Sequence, residues 1–168
     1  MFLARSGTDC YVKDKRMGIH TGWDLNGPAG KGPDGDLGDP IVSVADGIVE
    51  FATQNKGFSP SWGRLIIIRH PQLGVWTRYA HMSAVLVKTG EEVKAGQRIG
   101  TVGKGWAEQW PAHLHFDVIK RQLPVSTYWN GIGGEAGVKP YFMNPLDFFM
   151  QNGWKREDFT SVNGACPL

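Results

Sequence analysis

Two short motifs, far apart in the chain, carry the residue types of a metal site. His20 and Asp24 form an H-x-x-x-D pattern near the start, and His113 and His115 form an H-x-H pattern downstream. Together they supply two imidazoles and one carboxylate, with one imidazole left over. A catalytic zinc ion typically takes three protein ligands and keeps a fourth position open for water. The combination therefore predicts a Zn²⁺ site for hydrolysis rather than a structural metal site.

A third cluster, at residues 78–83, adds His81 as another candidate proton carrier. His113 and His115 lie two residues apart in a predicted strand, where such side chains face the same way. Both imidazoles can then reach one point, one as a ligand and the other beside the attacking water. An isolated H-x-H is more often a pair of histidines on a solvated strand face, and an isolated H-x-x-x-D is also a weak signal. The prediction therefore depends on the motifs occurring together.

The remaining reactive residues point to no second chemistry. His70 precedes Pro71 at a predicted turn, and we expect an exposed histidine there. Cys10 and Cys166 lie near opposite ends of the chain and outside any C-x-x-C pair, so we expect no zinc binding by cysteine. A disulfide between them and two unpaired buried thiols both remain open. No G-x-S-x-G, P-loop or H-E-x-x-H pattern supports a serine hydrolase, a nucleotide enzyme or a helical zinc peptidase.

Length and composition predict one folded domain. The chain has 168 residues, of which 41% are hydrophobic, enough for a substantial core. A net charge of +2 without a run of lysines or arginines argues against nucleic-acid binding. No apolar stretch approaches the roughly 20 residues of a membrane span, and residues 1–24 lack the apolar segment of a signal peptide. We expect a monomer, made without a signal or starting after its cleavage, and no membrane insertion.

The elements that must position the motifs are short strands joined by turns. The 23 glycines and 10 prolines punctuate short apolar runs, which is typical of a mainly β protein. We predict strands over 41–52, with a hairpin turn at Asp46 and Gly47, over 64–70 and 75–81, over 91–103 with a turn at 94–96, and over 112–119. A long loop over 121–140 precedes a short helix over 144–151. Asn144 is its predicted N-cap, with Pro145 in the first helical position.

Two tryptophans are candidates for substrate contact. Trp106 and Trp110 lie in the turn-rich segment just before His113. A loop at a strand end would overhang the site, where the two rings could form a groove wall. Ordinary packing of the loop is the alternative.

The assembled motifs resemble the lysostaphin-like zinc peptidases, a family of peptidoglycan endopeptidases with a split H-x-x-x-D and H-x-H site. The similarity runs from about residue 18 to residue 149 and covers more than the motifs. Further similar segments lie at 39–49, 78–83 with its Tyr-Ala-His sequence, 93–100, and the Asn-Pro-Leu sequence at 144–146.

The resemblance implies a set of roles and a fold. His20, Asp24 and His115 would bind zinc, and His81 and His113 would be the catalytic histidines beside the attacking water. The implied fold is mainly β: a compact antiparallel sheet with a short C-terminal helix and the site in a groove between loops. We expect a single zinc peptidase domain over 1–168, with its core at about 18–149.

The chain departs from the family's usual sequence at two places. Residues 105–112 replace a Thr-Gly-x-Ser-x-Gly-Pro-like stretch, in a loop that borders the substrate groove. Asp117 stands where the family often has glutamate, two residues after the second histidine of H-x-H. It would share a face with His113 and His115, and we predict that it orients a metal ligand by a hydrogen bond.

The resemblance also implies peptidoglycan as the substrate. We expect cleavage of the D-alanyl–diaminopimelate cross-link by a cell-wall lytic, bacteriolytic enzyme. Lacking a visible signal, the chain resembles phage endolysins, which are made in the host cytoplasm and reach the wall after membrane disruption. The alternatives are a glycine-bridge endopeptidase, a non-catalytic activator of a wall amidase, and a virion-associated lytic protein. Non-catalytic members typically lack a site residue, whereas all five are present here.

Overall fold

The fold is mainly β, as predicted. The computed structural model describes residues 20–26, 34–55, 62–123 and 139–155, and the backbone of three short strands before residue 20. None of the described residues belongs to a helix that is long and apolar enough to cross a membrane. Cys10 and Cys166 and most of the predicted loop over 121–140 lie outside the described residues.

The elements are β1 Ala4–Arg5, β2 Lys13–Asp14, β3 Gly18–Ile19, β4 Trp23–Asn26, β5 Pro40–Val42, β6 Gly47–Thr53, β7 Arg64–His70, β8 Val75–Val85, β9 Glu92–Val93, β10 Arg98–Val102, β11 Leu114–Ile119, β12 Phe142–Met143 and α1 Pro145–Gln151.

One antiparallel sheet carries the architecture. Its strand order is β1-β4-β11-β8-β7-β6-β9, with β10 pairing β5 and β8, and β12 pairing β11. β2 and β3 form a separate pair. The 11-residue β8 lies at the centre, with β11 and β7 on either side of its first half and β10 beside its second half. The sheet thus brings β4, β8 and β11 next to one another. These strands carry Asp24, His81 and His115, and His113 directly precedes β11.

Both faces of the sheet are covered in its centre. Ile66 and Ile68 point into a larger core, whereas Leu65 and Ile67 point into a smaller one, and all four are fully buried. A strand buried on both faces reads as a continuous apolar run, which explains the Leu-Ile-Ile-Ile sequence of β7. The apolar cores therefore hold the strands in register beneath the site.

The short helix closes the larger core as predicted. The Asn144 side chain caps α1 by accepting a hydrogen bond from the Leu146 N–H at 2.9 Å, and Pro145 opens the helix. On its buried face, Phe149 stacks against Trp23 of β4 and Phe116 of β11, at ring-centroid distances of 6.0 and 5.8 Å. The helix therefore braces the two strands that carry the candidate metal ligands.

The predicted hairpin at Asp46 and Gly47 is wrong. β5 pairs with β10, whereas β6 pairs with β7 and β9, so residues 43–46 join strands with different partners. Gly47 is needed for space, because a Cβ there would lie 2.6 Å from the Arg69 carbonyl oxygen. The turn at 94–96 is present, with Gly96 at φ 79°, but it likewise joins strands with different partners.

A β-bulge in β8 turns His81 toward the site face. In β7, Ile66 pairs with Tyr79 and Arg64 pairs with Met82, so Ala80 and His81 together oppose one residue. Tyr79 and Met82 both point into the larger core, which leaves Ala80 and His81 on the other face. His81 adopts φ 64°, a left-handed conformation that costs a non-glycine residue on the order of 1–3 kcal/mol. Without the bulge, strict alternation along β8 would point the His81 side chain to the opposite face, away from the site.

His70 is fully buried, and the expectation of an exposed turn histidine is wrong. Its Nδ1–H donates to the Asp46 carbonyl at 2.9 Å, and its Nε2 accepts from the Thr77 hydroxyl at 2.7 Å. Thr77 lies opposite Ile68 on the returning strand, so the hairpin of β7 and β8 encloses the ring. Burial lowers the pKa of His70, against the opposing influence of Asp46.

Backbone strain at His81 predicts an unusual order of stability. We expect His81→Gly to be more stable than His81→Ala by about 1 kcal/mol in urea unfolding, because glycine adopts positive φ without a Cβ penalty. Ser83 is the matched control, because it is exposed on the same strand and does not adopt a positive φ. At this position Ser83→Ala should be more stable than Ser83→Gly. Greater stability of alanine at both positions would contradict strain at His81.

Buried neutral His70 predicts acid sensitivity. The folded-state pKa lies below the usual 6.5, so its stabilising contribution is complete above about pH 6.5 and is lost as the pH falls below that value. The limiting slope is about 1.4 kcal/mol per pH unit. Unfolding free energies measured from about pH 7.5 to pH 5 should fall less steeply for His70→Gln than for the wild type. Parallel pH profiles for the wild type and His70→Gln would contradict the prediction, because they would mean that His70 binds its proton equally well in the folded and unfolded states.

Candidate metal centre and active site

Three candidate metal ligands converge at the junction of β4 and β11. Asp24 and His115 are directly opposite each other in the strand pair, and their Oδ1 and Nδ1 atoms are 3.1 Å apart. His20, four residues before Asp24, places its Nε2 atom 3.0 Å from each of these two atoms. Gly22 permits this path, because a Cβ there would lie 2.1 Å from the Phe116 carbonyl oxygen. Among the described residues these three side chains form a group able to hold a metal ion.

The donor set fits zinc. It comprises two imidazole nitrogens and one carboxylate oxygen, the ligand types of catalytic Zn²⁺. Ligand atoms about 2.0–2.2 Å from a tetrahedral ion lie roughly 3.3–3.6 Å apart, slightly more than the spacing of these three atoms. Small side-chain movements would therefore suffice to accommodate the ion.

The electrostatic environment of the three donors favours a cation. Burial opposes ionisation of Asp24, but hydrogen bonds with His115 and His20 hold its pKa well below its usual value. Burial also opposes protonation of His115, but the charges of Asp117 and Asp24 and hydrogen bonds to both raise its pKa to about 9. The two carboxylates thus attract positive charge to the point where the donors meet.

His113 and His81 lie beside the three donors. The Nε2 atom of His113 is 3.7 Å from Asp24 Oδ1, and its Nδ1–H donates to the Pro111 carbonyl at 2.7 Å. The ring of His81 lies 4.7 Å from that of His113 and 5.8 Å from that of His115, between centroids. Burial and the two neighbouring histidines lower the pKa of His81 well below its usual value. The structure thus brings all five sequence-predicted residues together, with His81 as a neutral imidazole at neutral pH.

Asp117 lies directly behind His115. Its Oδ2 atom accepts a hydrogen bond from His115 Nε2–H at 2.9 Å, and its Oδ1 accepts from the Thr21 hydroxyl at 2.5 Å. Arg78, opposite Asp117 in the neighbouring strand, forms a buried ion pair with it. These hydrogen bonds leave His115 Nδ1 as the atom that faces His20 and Asp24. Sequence reasoning identified Asp117 but gave no role to Thr21 or Arg78, which are not metal-ligand types.

Aromatic rings border the site, including one that sequence reasoning missed. The Trp62 ring stacks on His81 at 5.9 Å and meets His115 edge-on at 5.0 Å. Trp110 lies 6.4 Å from His81. Trp106 is 41% exposed and lies over the Arg64 guanidinium. Trp62 gave little signal in the sequence, because its contact with His81 depends on the register of β7 against β8, which shifts at a bulge between Arg64 and Ile66.

The chain is similar to proteins of known activity. The profile of Peptidase family M23 matches residues 18–127. Peptidoglycan DD-endopeptidase ShyA of Vibrio cholerae serotype O1 is 36% identical over 112 residues, which is 67% of this chain but only 23% of that relative. The chain therefore matches less than a quarter of the length of this relative.

Solved structures share the fold. The catalytic domain of the antimicrobial peptidase lysostaphin from Staphylococcus simulans is 25% identical, with a TM-score of 0.55 over 79% of this chain and 80% of that one. A zinc-containing peptidase from Vibrio cholerae is 27% identical, with a TM-score of 0.56 over 74% of this chain and 36% of that one. Since the matched residues cover more than half of the sequence and include every histidine and aspartate of the candidate site, the chain belongs to Peptidase family M23.

Proposed function

We propose that this protein is a zinc-dependent endopeptidase that hydrolyses peptide bonds in bacterial peptidoglycan. The observation that carries the proposal is the convergence of His20, Asp24 and His115, with His81 and His113 beside them. Similarity to ShyA, a peptidoglycan endopeptidase by name, supports the substrate class. Residues 18–149 would form the core of a single catalytic domain that acts as a monomer.

The two catalytic histidines have different roles in the proposed mechanism. His20, Asp24 and His115 would hold the zinc ion, which when bound lowers the pKa of water and polarises the scissile carbonyl. The Pro111 carbonyl holds the proton of neutral His113 on Nδ1, so its Nε2 atom is free to accept a proton from the attacking water. His81 then donates a hydrogen bond to the developing oxyanion. The proton on His113 passes to the leaving amine.

The D-alanyl–diaminopimelate cross-link is the bond we favour. ShyA is a DD-endopeptidase by name, which supports this choice. A glycine bridge is the second candidate. Trp110 beside His81 and the exposed Trp106 would wall the substrate groove. We further assign the protein an endolysin-like role: made in the host cytoplasm, it would act on the wall after membrane disruption.

Replacing a ligand and replacing a catalytic histidine should have different effects. We expect His115→Ala to lose both stoichiometric zinc and hydrolysis. His81→Ala should keep zinc while kcat falls by about 10²–10³-fold, the usual range for loss of one hydrogen-bond donor to the oxyanion. The readouts are metal content after dialysis and turnover on purified cell-wall sacculi.

His70→Gln is the matched control, since it changes the fifth histidine, which lies outside the site. It should keep both zinc and activity. Stoichiometric zinc in His115→Ala would remove His115 from the ligand set, and loss of zinc from His81→Ala would contradict its assignment as a catalytic residue.

The bond cleaved can be identified from released fragments. Purified Gram-negative sacculi should lose cross-linked peptide dimers and gain monomers on treatment with the zinc-loaded protein, as measured by mass spectrometry. A zinc chelator should abolish this change, and added zinc should restore it. Intact cross-links with zinc confirmed bound would contradict the proposed bond, and staphylococcal sacculi would then test the glycine bridge.

A further inference from the structure

We propose that Arg78 is a positioning residue that holds both halves of the active site at once. Through Asp117 it orients the metal ligand His115, and through Trp62 it orients the catalytic His81. This inference rests on the proposed function, because the roles of the two histidines are assigned there.

Arg78 is fully buried in the centre of the sheet. It lies in β8 between Asp117 of β11 and Ile67 of β7. A buried guanidinium requires a counter-charge and hydrogen-bond acceptors, and the fully buried Asp117 provides both. The Arg78–Asp117 pair lies directly beneath the site. A change in the geometry of this pair would therefore move the side chains that the two residues contact.

The first link runs to the metal ligand. Arg78 donates from Nε to Asp117 Oδ2 at 2.5 Å, and its Nη2 group also contacts this oxygen. The same Nη2 lies 3.3 Å from the Thr21 hydroxyl oxygen. Asp117 is thereby fixed with its Oδ2 atom 2.9 Å from His115 Nε2. In the neutral form of His115 that can bind a metal, this contact keeps the remaining proton on Nε2, so that Nδ1 faces His20 and Asp24.

The second link runs to the catalytic histidine. The guanidinium carbon of Arg78 lies 4.0 Å from the centre of the Trp62 ring, a cation–π contact. That ring stacks nearly parallel to His81, with an interplanar angle of 18°. The Trp62 carbonyl also accepts the His81 backbone N–H at 2.9 Å. The position of Trp62 therefore determines both the backbone and the ring of His81.

Only arginine can make both links. Its planar fork directs two N–H groups at one carboxylate while its face lies against an aromatic ring. Lysine would supply the charge, but its three N–H donors lie on one nitrogen and do not form a planar fork. Arg78→Lys therefore tests the geometry rather than the charge.

The test measures zinc affinity and turnover separately. For Arg78→Lys we expect the zinc Kd, from competition with a chromophoric chelator, to rise about 10–100-fold, as is typical when the partner of a ligand histidine is lost. At saturating zinc, kcat on sacculi should fall about 10-fold or more. Arg98→Lys, at an exposed arginine of β10, is the matched control and should change neither quantity.

Single-link variants separate the two effects. Asp117→Asn should raise the zinc Kd. Trp62→Leu should lower kcat while leaving the zinc Kd within about threefold, and Trp62→Phe, which keeps a ring over the guanidinium, should restore part of kcat. Combining Arg78→Lys with Asp117→Asn should raise the zinc Kd by less than the product of the single effects, because both changes break one link.

Unchanged zinc Kd and kcat in Arg78→Lys would overturn the inference, even if the variant unfolds at lower urea. Should Arg78→Lys fail to fold, equal kcat for Trp62→Leu and the wild type would overturn it instead. Wild-type protein that binds zinc but leaves sacculi intact would contradict the proposed function. The zinc Kd values would still decide the Arg78–Asp117 link.

Discussion

The candidate site depends on the register of β11 between its two neighbours. Antiparallel pairing sets His115 opposite Asp24 on one side and opposite Ala80 on the other. A slip of one residue would turn His115 to the opposite face of the sheet. Phe116 opposes such a slip, because the same movement would remove its fully buried ring from the larger core. Hydrophobic burial on one face thus fixes the position of His115, a candidate metal ligand, on the other.

Buried charge is balanced around this register. Asp24 and Asp117 contribute two negative charges, and Arg78 neutralises one of them. With His115 in the neutral form that binding a metal requires, the site is left with one negative charge beside imidazole donors, in a partly desolvated setting where electrostatic attraction is stronger than in water. A divalent cation is attracted to this charge about twice as strongly as a monovalent one at the same distance, because the Coulomb energy scales with the product of the charges.

Local patterns explain which features the sequence predicted. The strands, the cap at Asn144 and the convergence of the H-x-x-x-D and H-x-H motifs follow from short-range periodicity and residue type. The orientation of His81 does not, since a bulge reverses the alternation of β8. Residue type marked His81 as a candidate proton carrier, and the family resemblance implied its place beside the attacking water. Burial of His70 depends on the pairing of β7 with β6 and on the Asp46 carbonyl, and the contact of Trp62 with His81 depends on the bulge that shifts the register of β7 against β8. The wrong hairpin at Asp46 has the same cause, because a turn sequence does not specify which strands will pair.

The backbone segments that carry the tryptophans near the candidate site are in direct contact. Gly63 follows Trp62 and adopts φ 62°, and a Cβ there would lie 2.8 Å from the carbonyl carbon of Gly105. The segment that holds Trp62 and the loop that holds Trp106 and Trp110 therefore meet backbone against backbone. Residues 62–63 and 104–112 should consequently be replaced together when either segment is exchanged for that of a relative. A chimera that imported only the loop from a relative would need a glycine at both contact points, because a larger residue there would displace Trp62 and, with it, the His81 ring stacked on it.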